Sequence, residues 1–145
     1  MPRVSVKGSE VIVRLSLRAR AALRRRGFRV PVADVRQVAV EPGWWRVLRG
    51  TPGRGVWRPG RCTGFRKLPE GGVDFVAVRA GRPALVLDLD LAAGGLLRRI
   101  AVSVRDPEAA ARIVRAAMPG RSTERGTADG GDGAPGRGVR PPSQP

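Results

Sequence analysis

Arginine and tryptophan are the residue types in this 145-residue chain whose spacing suggests a binding chemistry. Two stretches are dense in arginine, and neither contains an acidic residue. The first holds Arg14, Arg18, Arg20, Arg24, Arg25, Arg26 and Arg29. The second holds Arg46, Arg49, Arg54, Arg58, Arg61, Arg66 and Lys67, interleaved with Trp44, Trp45 and Trp57. Guanidinium forks bind phosphate in a bidentate manner, and indole faces stack on nucleic-acid bases.

The two stretches predict a cationic surface that binds an anion or a partner, and the net charge of +16 favours polyanions at low salt. The predicted binding residues are Arg18, Arg24, Arg25, Arg26, Arg46, Arg49, Arg54, Arg58, Arg61, Arg66 and Lys67, with Trp44, Trp45 and Trp57 as stacking residues. In an alternative interpretation, the arginines reflect GC-rich coding and form solvated faces, while the tryptophans fill the core. The absence of His and Tyr and the presence of only two lysines fit that bias.

The sequence offers few groups for catalysis. It contains no His, which removes the commonest general base and the usual nucleophile–His arrangements. Asp88 and Asp90 lie two residues apart on a predicted strand, so their carboxylates share one face and could do acid–base work together with Asp74. We favour a solvent-facing role for Asp88 and Asp90, because Leu85, Leu87, Leu89 and Leu91 alternate with them and would face the core.

Cys62 and the glycine-rich run Gly50–Gly60 also predict no site. A single cysteine excludes an intramolecular disulfide and cannot build a zinc shell without His. Arg61 and Arg66 could lower the pKa of the Cys62 thiol, but a half-buried structural cysteine is the favoured interpretation. Arg58 stands where a dinucleotide fingerprint needs its third glycine, so we interpret the run as a connection between strands. No catalytic residue, metal or cofactor is therefore predicted.

Alternating apolar residues predict the strands that must position these groups. The predicted strands are Arg3–Lys7, Glu10–Leu15, Phe28–Val32, Val35–Val40, Val73–Arg79, Pro83–Leu89 and Leu97–Val104, with shorter ones at Trp44–Leu48, Gly55–Trp57 and Arg61–Lys67. Pro31 favours an edge strand.

Two helices are predicted from their capping residues. Ser16 caps a short helix over Leu17–Arg26 that stops at Gly27. Asp106-Pro107-Glu108 begins an amphipathic helix at about Asp106–Met118, which Pro119-Gly120 ends. Its predicted buried face holds Ala110, Ile113, Val114, Ala117 and Met118.

Several runs resemble bacterial pleckstrin-homology-like (PH-like) domains. The run RVPVADVRQV at Arg29–Val38 is similar to their strand, turn and strand signature. The later runs Val73–Val78, Arg82–Leu89 and Ile100–Glu108 are similar to uncharacterised proteins of that group. The resemblance spans about Val4 to Met118, with the Arg- and Trp-rich stretch 44–67 as its departure. It implies a PH-like barrel with a C-terminal capping helix, and it implies no catalytic residue and no known ligand.

The predicted fold is α+β and mostly β: a strongly bent antiparallel sheet or partly open PH-like barrel over residues 1–118, closed by the C-terminal helix. Residues 119–145 predict a disordered Gly/Pro/Ser-rich tail. No signal peptide or membrane span is apparent, so a cytoplasmic location is expected. The leading functional hypothesis is a non-catalytic interaction module that docks a protein or an anionic partner. One alternative is a nucleic-acid-binding protein that uses segment 44–67. Another is a small hydrolase-like enzyme that uses carboxylates.

Overall fold

The computed structural model describes residues 1–90 and 95–118. The predicted core residue Leu91, the Pro119-Gly120 stop and the predicted tail lie outside the described residues. The strands are β1 (Arg3–Lys7), β2 (Glu10–Arg14), β3 (Gly27–Pro31), β4 (Val35–Glu41), β5 (Thr51–Arg58), β6 (Arg61–Lys67), β7 (Val73–Arg79), β8 (Ala84–Leu89) and β9 (Leu97–Val102). The helices are α1 (Leu17–Leu23) and α2 (Pro107–Ala117), with 3₁₀ turns at Val32–Asp34 and Trp44–Val47.

The strands form two sheets that are not closed into a barrel. One sheet has the order β1-β2-β3, and the other has the order β4-β8-β9-β7-β6-β5. The predicted strongly bent antiparallel sheet, or partly open barrel, is corrected to two sheets, and β9 lies between β8 and β7 and pairs with β7 in parallel. Alternation along a strand shows which side chains are buried, but it does not show which strand lies beside it. The mostly β composition and the C-terminal helix are confirmed.

Helix α1 is shorter than predicted. Ser16 caps it as expected, since the Ser16 hydroxyl accepts a hydrogen bond from the Ala19 N–H at 3.3 Å. The helix ends at Leu23 because Arg24 adopts a left-handed conformation with φ of 53°. Gly27 does not stop the helix but begins β3, where a Cβ would overlap the carbonyl of Val13. Pro31 is the last residue of β3, which is an edge strand of the smaller sheet, as predicted for this residue.

The main core lies between the two sheets. Phe75, Leu85, Leu87 and Ile100 of the larger sheet face Val11, Val13, Phe28 and Val30 of the smaller one. Helix α2 packs against β1, β4 and β8 and so joins both sheets at one end. Asp106 caps α2 by accepting a hydrogen bond from the Ala109 N–H at 3.1 Å. The predicted burial of Ile113 is wrong: its side chain is 51% exposed, and Ala111 takes its place on the buried face.

A second apolar cluster covers the opposite face of the larger sheet. It contains Val47, Cys62, Val76, Val78, Ala84, Val86 and Ala101, with Trp44, Leu48 and Trp57 packed against it. The predicted strand at Trp44–Leu48 is wrong, because the Arg46 N–H donates to the Gly43 carbonyl and closes a tight 3₁₀ turn instead. This turn places Trp44, Val47 and Leu48 on the sheet.

The glycine-rich run is mostly strand: the predicted short strand Gly55–Trp57 is part of a longer one, and the rest of the run is not the predicted connection. Thr51–Arg58 forms β5, with a bulge between Pro52 and Gly55. Gly55 lies opposite Gly64 of β6, and a Cβ on either would overlap the backbone of the other strand. These two glycines therefore allow β5 and β6 to approach closely. Neither helix in the described part of the chain is long and apolar enough to cross a membrane.

Candidate functional site: an arginine groove

A groove of about 750 Å³ lies between helix α1 and the N-terminal residues on one side and strands β5, β6 and β7 on the other. The arginines that line it are Arg3, Arg14, Arg18, Arg20, Arg58, Arg61 and Arg79. We call this feature the arginine groove. No Asp or Glu of residues 1–90 and 95–118 lines it, and none of its arginines forms an ion pair there. Its field is therefore purely cationic.

Strand register builds one wall of the arginine groove. Arg58 of β5 lies opposite Arg61 of β6, and Arg61 lies opposite Arg79 of β7. Directly opposed residues on neighbouring strands have Cβ atoms about 5 Å apart, and like charges in such positions repel. The three arginines thus form one row of positive charge across three strands.

The other wall also has directly opposed arginines, here on neighbouring strands of the smaller sheet. Arg3 of β1 lies opposite Arg14 of β2. Helix α1 follows directly and adds Arg18 and Arg20. The Arg20 Nε donates to the Leu15 carbonyl at 3.2 Å, which ties this side chain to the start of the helix. Both walls therefore carry arginines whose positions follow from strand register and from helix α1.

Aliphatic side chains form the floor of the arginine groove. Leu15, Ala19 and Ala77 are buried there, and Val56 is half-buried. Ser103 adds a hydroxyl that accepts a hydrogen bond from the Arg79 N–H at 3.1 Å. Leu17 stands at the rim and is 76% exposed. The site therefore combines an apolar base with a charged rim, so a ligand that suits both needs apolar parts as well as anionic groups.

The structure brings only some of the predicted binding residues into the arginine groove. Arg18, from the first arginine stretch, meets Arg58 and Arg61, from the second. The predicted residues that do not line it are Arg24, Arg25, Arg26, Arg46, Arg49, Arg54, Arg66 and Lys67. Of these, Arg25 lies 4.3 Å above the Phe28 ring and donates to the Gly27 carbonyl.

Four arginines of the groove were not among the predicted binding residues. Arg14 and Arg20 belong to the first arginine stretch, so their charge was visible in the sequence. Arg3 and Arg79 are isolated at strand ends, and only the register of β1 with β2 and of β6 with β7 shows what they face. The sequence does not show which strands pair, and this pairing is what would have identified Arg3 and Arg79.

Arg49 and Arg66 bind other groups of the protein instead of lining the groove. Arg49 binds the fully buried Asp74 with two hydrogen bonds, Nε to Oδ2 at 2.6 Å and Nη2 to Oδ1 at 3.0 Å. The bond to Asp74 raises the pKa of the Arg49 guanidinium above its ordinary value, although burial opposes this. Arg66 donates to the carbonyls of Arg49 and Gly50 at 2.8 and 2.9 Å. A buried carboxylate needs such a partner.

The predicted stacking tryptophans lie away from the arginine groove. Trp44 and Trp57 pack against the second apolar cluster, on the opposite face of the larger sheet. The Trp57 indole N–H donates to the Gly53 carbonyl at 2.9 Å, and the Arg66 guanidinium lies 5.2 Å from its ring centroid. Trp45 is 57% exposed and meets Trp44 edge to face. No aromatic residue in the described ranges lines the groove.

Two of the carboxylates considered for catalysis are bound by arginines. Asp74 is bound by Arg49, and Asp88 accepts a hydrogen bond from the Arg99 Nε at 2.7 Å. Asp88 and Asp90 line a second cavity of about 350 Å³, where arginines accompany them. Within the part of the chain that the structure describes, no group of three His, Cys, Asp or Glu residues could hold a metal ion.

Cys62 is buried in the second apolar cluster. Burial raises the pKa of its thiol, and the positive charge of Arg66 lowers it by less. The thiol is therefore protonated at neutral pH, contrary to an activated nucleophile.

The described residues form a small two-sheet β protein, with α2 at the β4 end of the larger sheet and the arginine groove at the β5 end. Known protein families, curated proteins and solved structures were compared with the chain, and none matches it.

Proposed function

We propose that this chain is a non-catalytic interaction module that docks an anionic partner in the arginine groove. The observation that carries the proposal is the pair of opposed arginine rows, Arg3 with Arg14 on one wall and Arg58 with Arg61 and Arg79 on the other. Opposed like charges on neighbouring strands cost stability, about 0.2–1 kcal/mol for each pair. A bound anion removes that cost, and arginine cannot do so by losing its proton.

The charge state of the groove supports the same proposal. Arginine as a residue type is charged at physiological pH. No acidic side chain of the described residues lies among the lining arginines to offset their charge. A groove with low-dielectric walls and charge of one sign concentrates counter-ions and steers charged ligands toward itself. An anionic partner is therefore favoured both in its approach and in its bound state.

The side chains that could do chemistry support a non-catalytic role. Asp74 and Asp88 each form an ion pair with an arginine, which occupies their carboxylate oxygens. Cys62 is buried with a raised pKa. The sequence contains no His to serve as a general base.

The proposal also includes the PH-like relationship and the cytoplasmic location that the sequence patterns suggest. What supports the relationship is the mostly β architecture with a C-terminal helix, α2, packed against strands of both sheets. It assigns no ligand to this chain, because a fold does not fix a function.

Binding of long-chain inorganic polyphosphate, measured by isothermal titration calorimetry at low and moderate salt, tests the proposed docking site. The groove variant carries Arg61→Gln and Arg79→Gln. Its matched control carries Arg105→Gln and Arg112→Gln, which remove the same charge from exposed residues outside the groove. We expect the groove variant to bind at least tenfold more weakly than the control variant. Equal affinities for the two variants would overturn the proposal.

A further inference from the structure

We propose that the anionic partner is a single-stranded nucleic acid, held with its phosphates on the arginine rows and its bases over the aliphatic floor. This inference rests on the proposed function and specifies its ligand. It differs from the earlier hypothesis that segment 44–67 binds nucleic acid with its tryptophans. Arg58 and Arg61 of that segment take part, but the site is the arginine groove and no tryptophan lines it.

The number and spread of the arginines favour a polymer with a regular charge. A single small anion is fully coordinated by two or three guanidinium groups. The groove offers seven, distributed over both walls and contributed by both sheets and by α1. A nucleic-acid backbone carries one charge per nucleotide and meets successive arginines along its length. Repeated charge in the ligand matches repeated charge in the groove.

The concave shape favours a single strand over a duplex. Proteins that read duplex DNA insert a helix or a β-ribbon into its grooves, and so present a convex element. The arginine groove is instead a cleft between α1 and the β5–β7 face. Proteins that bind single strands use such a positively charged groove to follow the backbone.

The floor provides a surface for bases without stacking them. Val56 is half-buried and Leu17 is exposed at the rim, and both lie beside the buried aliphatic residues Leu15, Ala19 and Ala77. Unpaired bases have apolar faces that lose contact with water when they pack on such residues. Because aliphatic contacts do not distinguish one base from another and no aromatic residue of the described ranges lines the site, we expect weak sequence preference.

The position of the tryptophans predicts how their fluorescence responds when a nucleic acid binds in the groove. Val56 and Arg58 line the groove, whereas Trp57 between them packs against the second apolar cluster on the other face. Stacking on bases would quench tryptophan fluorescence. Phosphate contacts in the groove leave Trp44 and Trp57 in their apolar surroundings, so little quenching is expected.

The test is fluorescence anisotropy of a labelled oligothymidine of about 15 nucleotides, titrated with the full chain at several salt concentrations. The logarithm of affinity should fall with the logarithm of salt, with a slope of about −0.7 for each phosphate contacted. Replacing Arg18 and Arg61 by Gln should reduce the magnitude of the slope by about 1.4, whereas the Arg105→Gln, Arg112→Gln control should change it little. Trp45→Ala, at an exposed tryptophan, should bind like the native protein. Far-ultraviolet circular dichroism confirms that each variant is folded.

Duplex DNA, polyglutamate and vesicles with anionic phospholipid serve as competitors and separate the two proposals. If one of them binds in a manner that depends on Arg18 and Arg61 while oligothymidine does not, the inference is overturned and the proposed function stands. If no polyanion distinguishes either the Arg61→Gln, Arg79→Gln variant or the Arg18→Gln, Arg61→Gln variant from the control, both are overturned. An affinity lost in Trp45→Ala, or equal slopes for the Arg18→Gln, Arg61→Gln variant and the control, overturns the inference alone.

Discussion

Arg61 of β6 lies directly opposite Arg79 of β7, and Arg58 of β5 lies directly opposite Arg61. Within the described part of the chain no acidic side chain forms an ion pair with any of the three. Neighbouring strands usually place opposite charges or apolar residues at such positions, since opposed like charges destabilise the sheet. The three-strand row therefore lowers the stability of the sheet, and the proposed binding of an anion would offset this.

Reversing one charge in the row should stabilise the fold while weakening polyanion binding. In Arg79→Glu a repulsive pair becomes an attractive one, so we expect the free energy of unfolding in urea to rise by about 0.5 kcal/mol. Polyphosphate affinity should fall more than tenfold. The control Arg112→Glu, at an exposed position on α2, should show neither the gain in stability nor the large loss of affinity. A loss of stability together with native-like binding in Arg79→Glu would contradict the interpretation.

The buried carboxylate of Asp74 should make Arg49 important for stability. Arg49→Ala leaves the buried Asp74 carboxyl group without its partner, which should cost about 3 kcal/mol in the free energy of unfolding. The double variant Arg49→Leu, Asp74→Leu removes both charges, so it should recover much of this loss. Urea denaturation monitored by tryptophan fluorescence measures both. Equal losses in the single and double variants would show that packing, rather than the unpaired charge, is responsible.

Cys62 should react slowly in the folded protein and make stability decrease in alkali. Burial raises the pKa of its thiol, so the folded state holds the proton more tightly than the unfolded state does. This contribution to stability is complete below the pKa of the unfolded cysteine, about 8.5, and is lost as pH rises through the higher folded value. Comparing the native protein with Cys62→Ala isolates the effect. Alkylation by iodoacetamide should be much faster in urea than in buffer, and equal rates would contradict the burial.

Gly64 should be required for the pairing of β5 with β6. A Cβ at this position would overlap the Arg54 carbonyl, so Gly64→Ala should lower the free energy of unfolding by roughly 2–3 kcal/mol. Gly81→Ala is the control: its Cβ meets open space, and only its left-handed φ of 80° adds strain, about 1 kcal/mol. If both variants lose the same stability, close approach of the strands is not the reason for the glycine.

Local signals in the sequence predicted many elements closely. Ser16 and Asp106 cap the two helices, and the bounds of β1, β6 and β7 match the expected ones. Each of these depends on neighbouring residues, such as a capping oxygen or strict alternation.

Features that depend on distant residues could not be predicted. The tight turn at Trp44–Val47 gains its stability from packing on Val76 and Val86, far along the chain. Strand β9 lies between β7 and β8 in the larger sheet. The alternation of apolar residues along a strand does not predict this strand order. The arginine groove could not be predicted for the same reason. Arg3 and Arg79 lie beside α1 only because the two sheets place them there.

Backbone amide chemical shifts, recorded while long-chain polyphosphate is added to the full chain, test the docking site most directly. If the arginine groove binds the anion, the largest changes will fall on residues around Arg18, Arg61 and Arg79 and on Ser103. The Trp44–Val47 turn and helix α2 will change little. Shifts spread evenly over all exposed arginines, or centred on Trp45 and Arg46, would contradict the assignment of the groove.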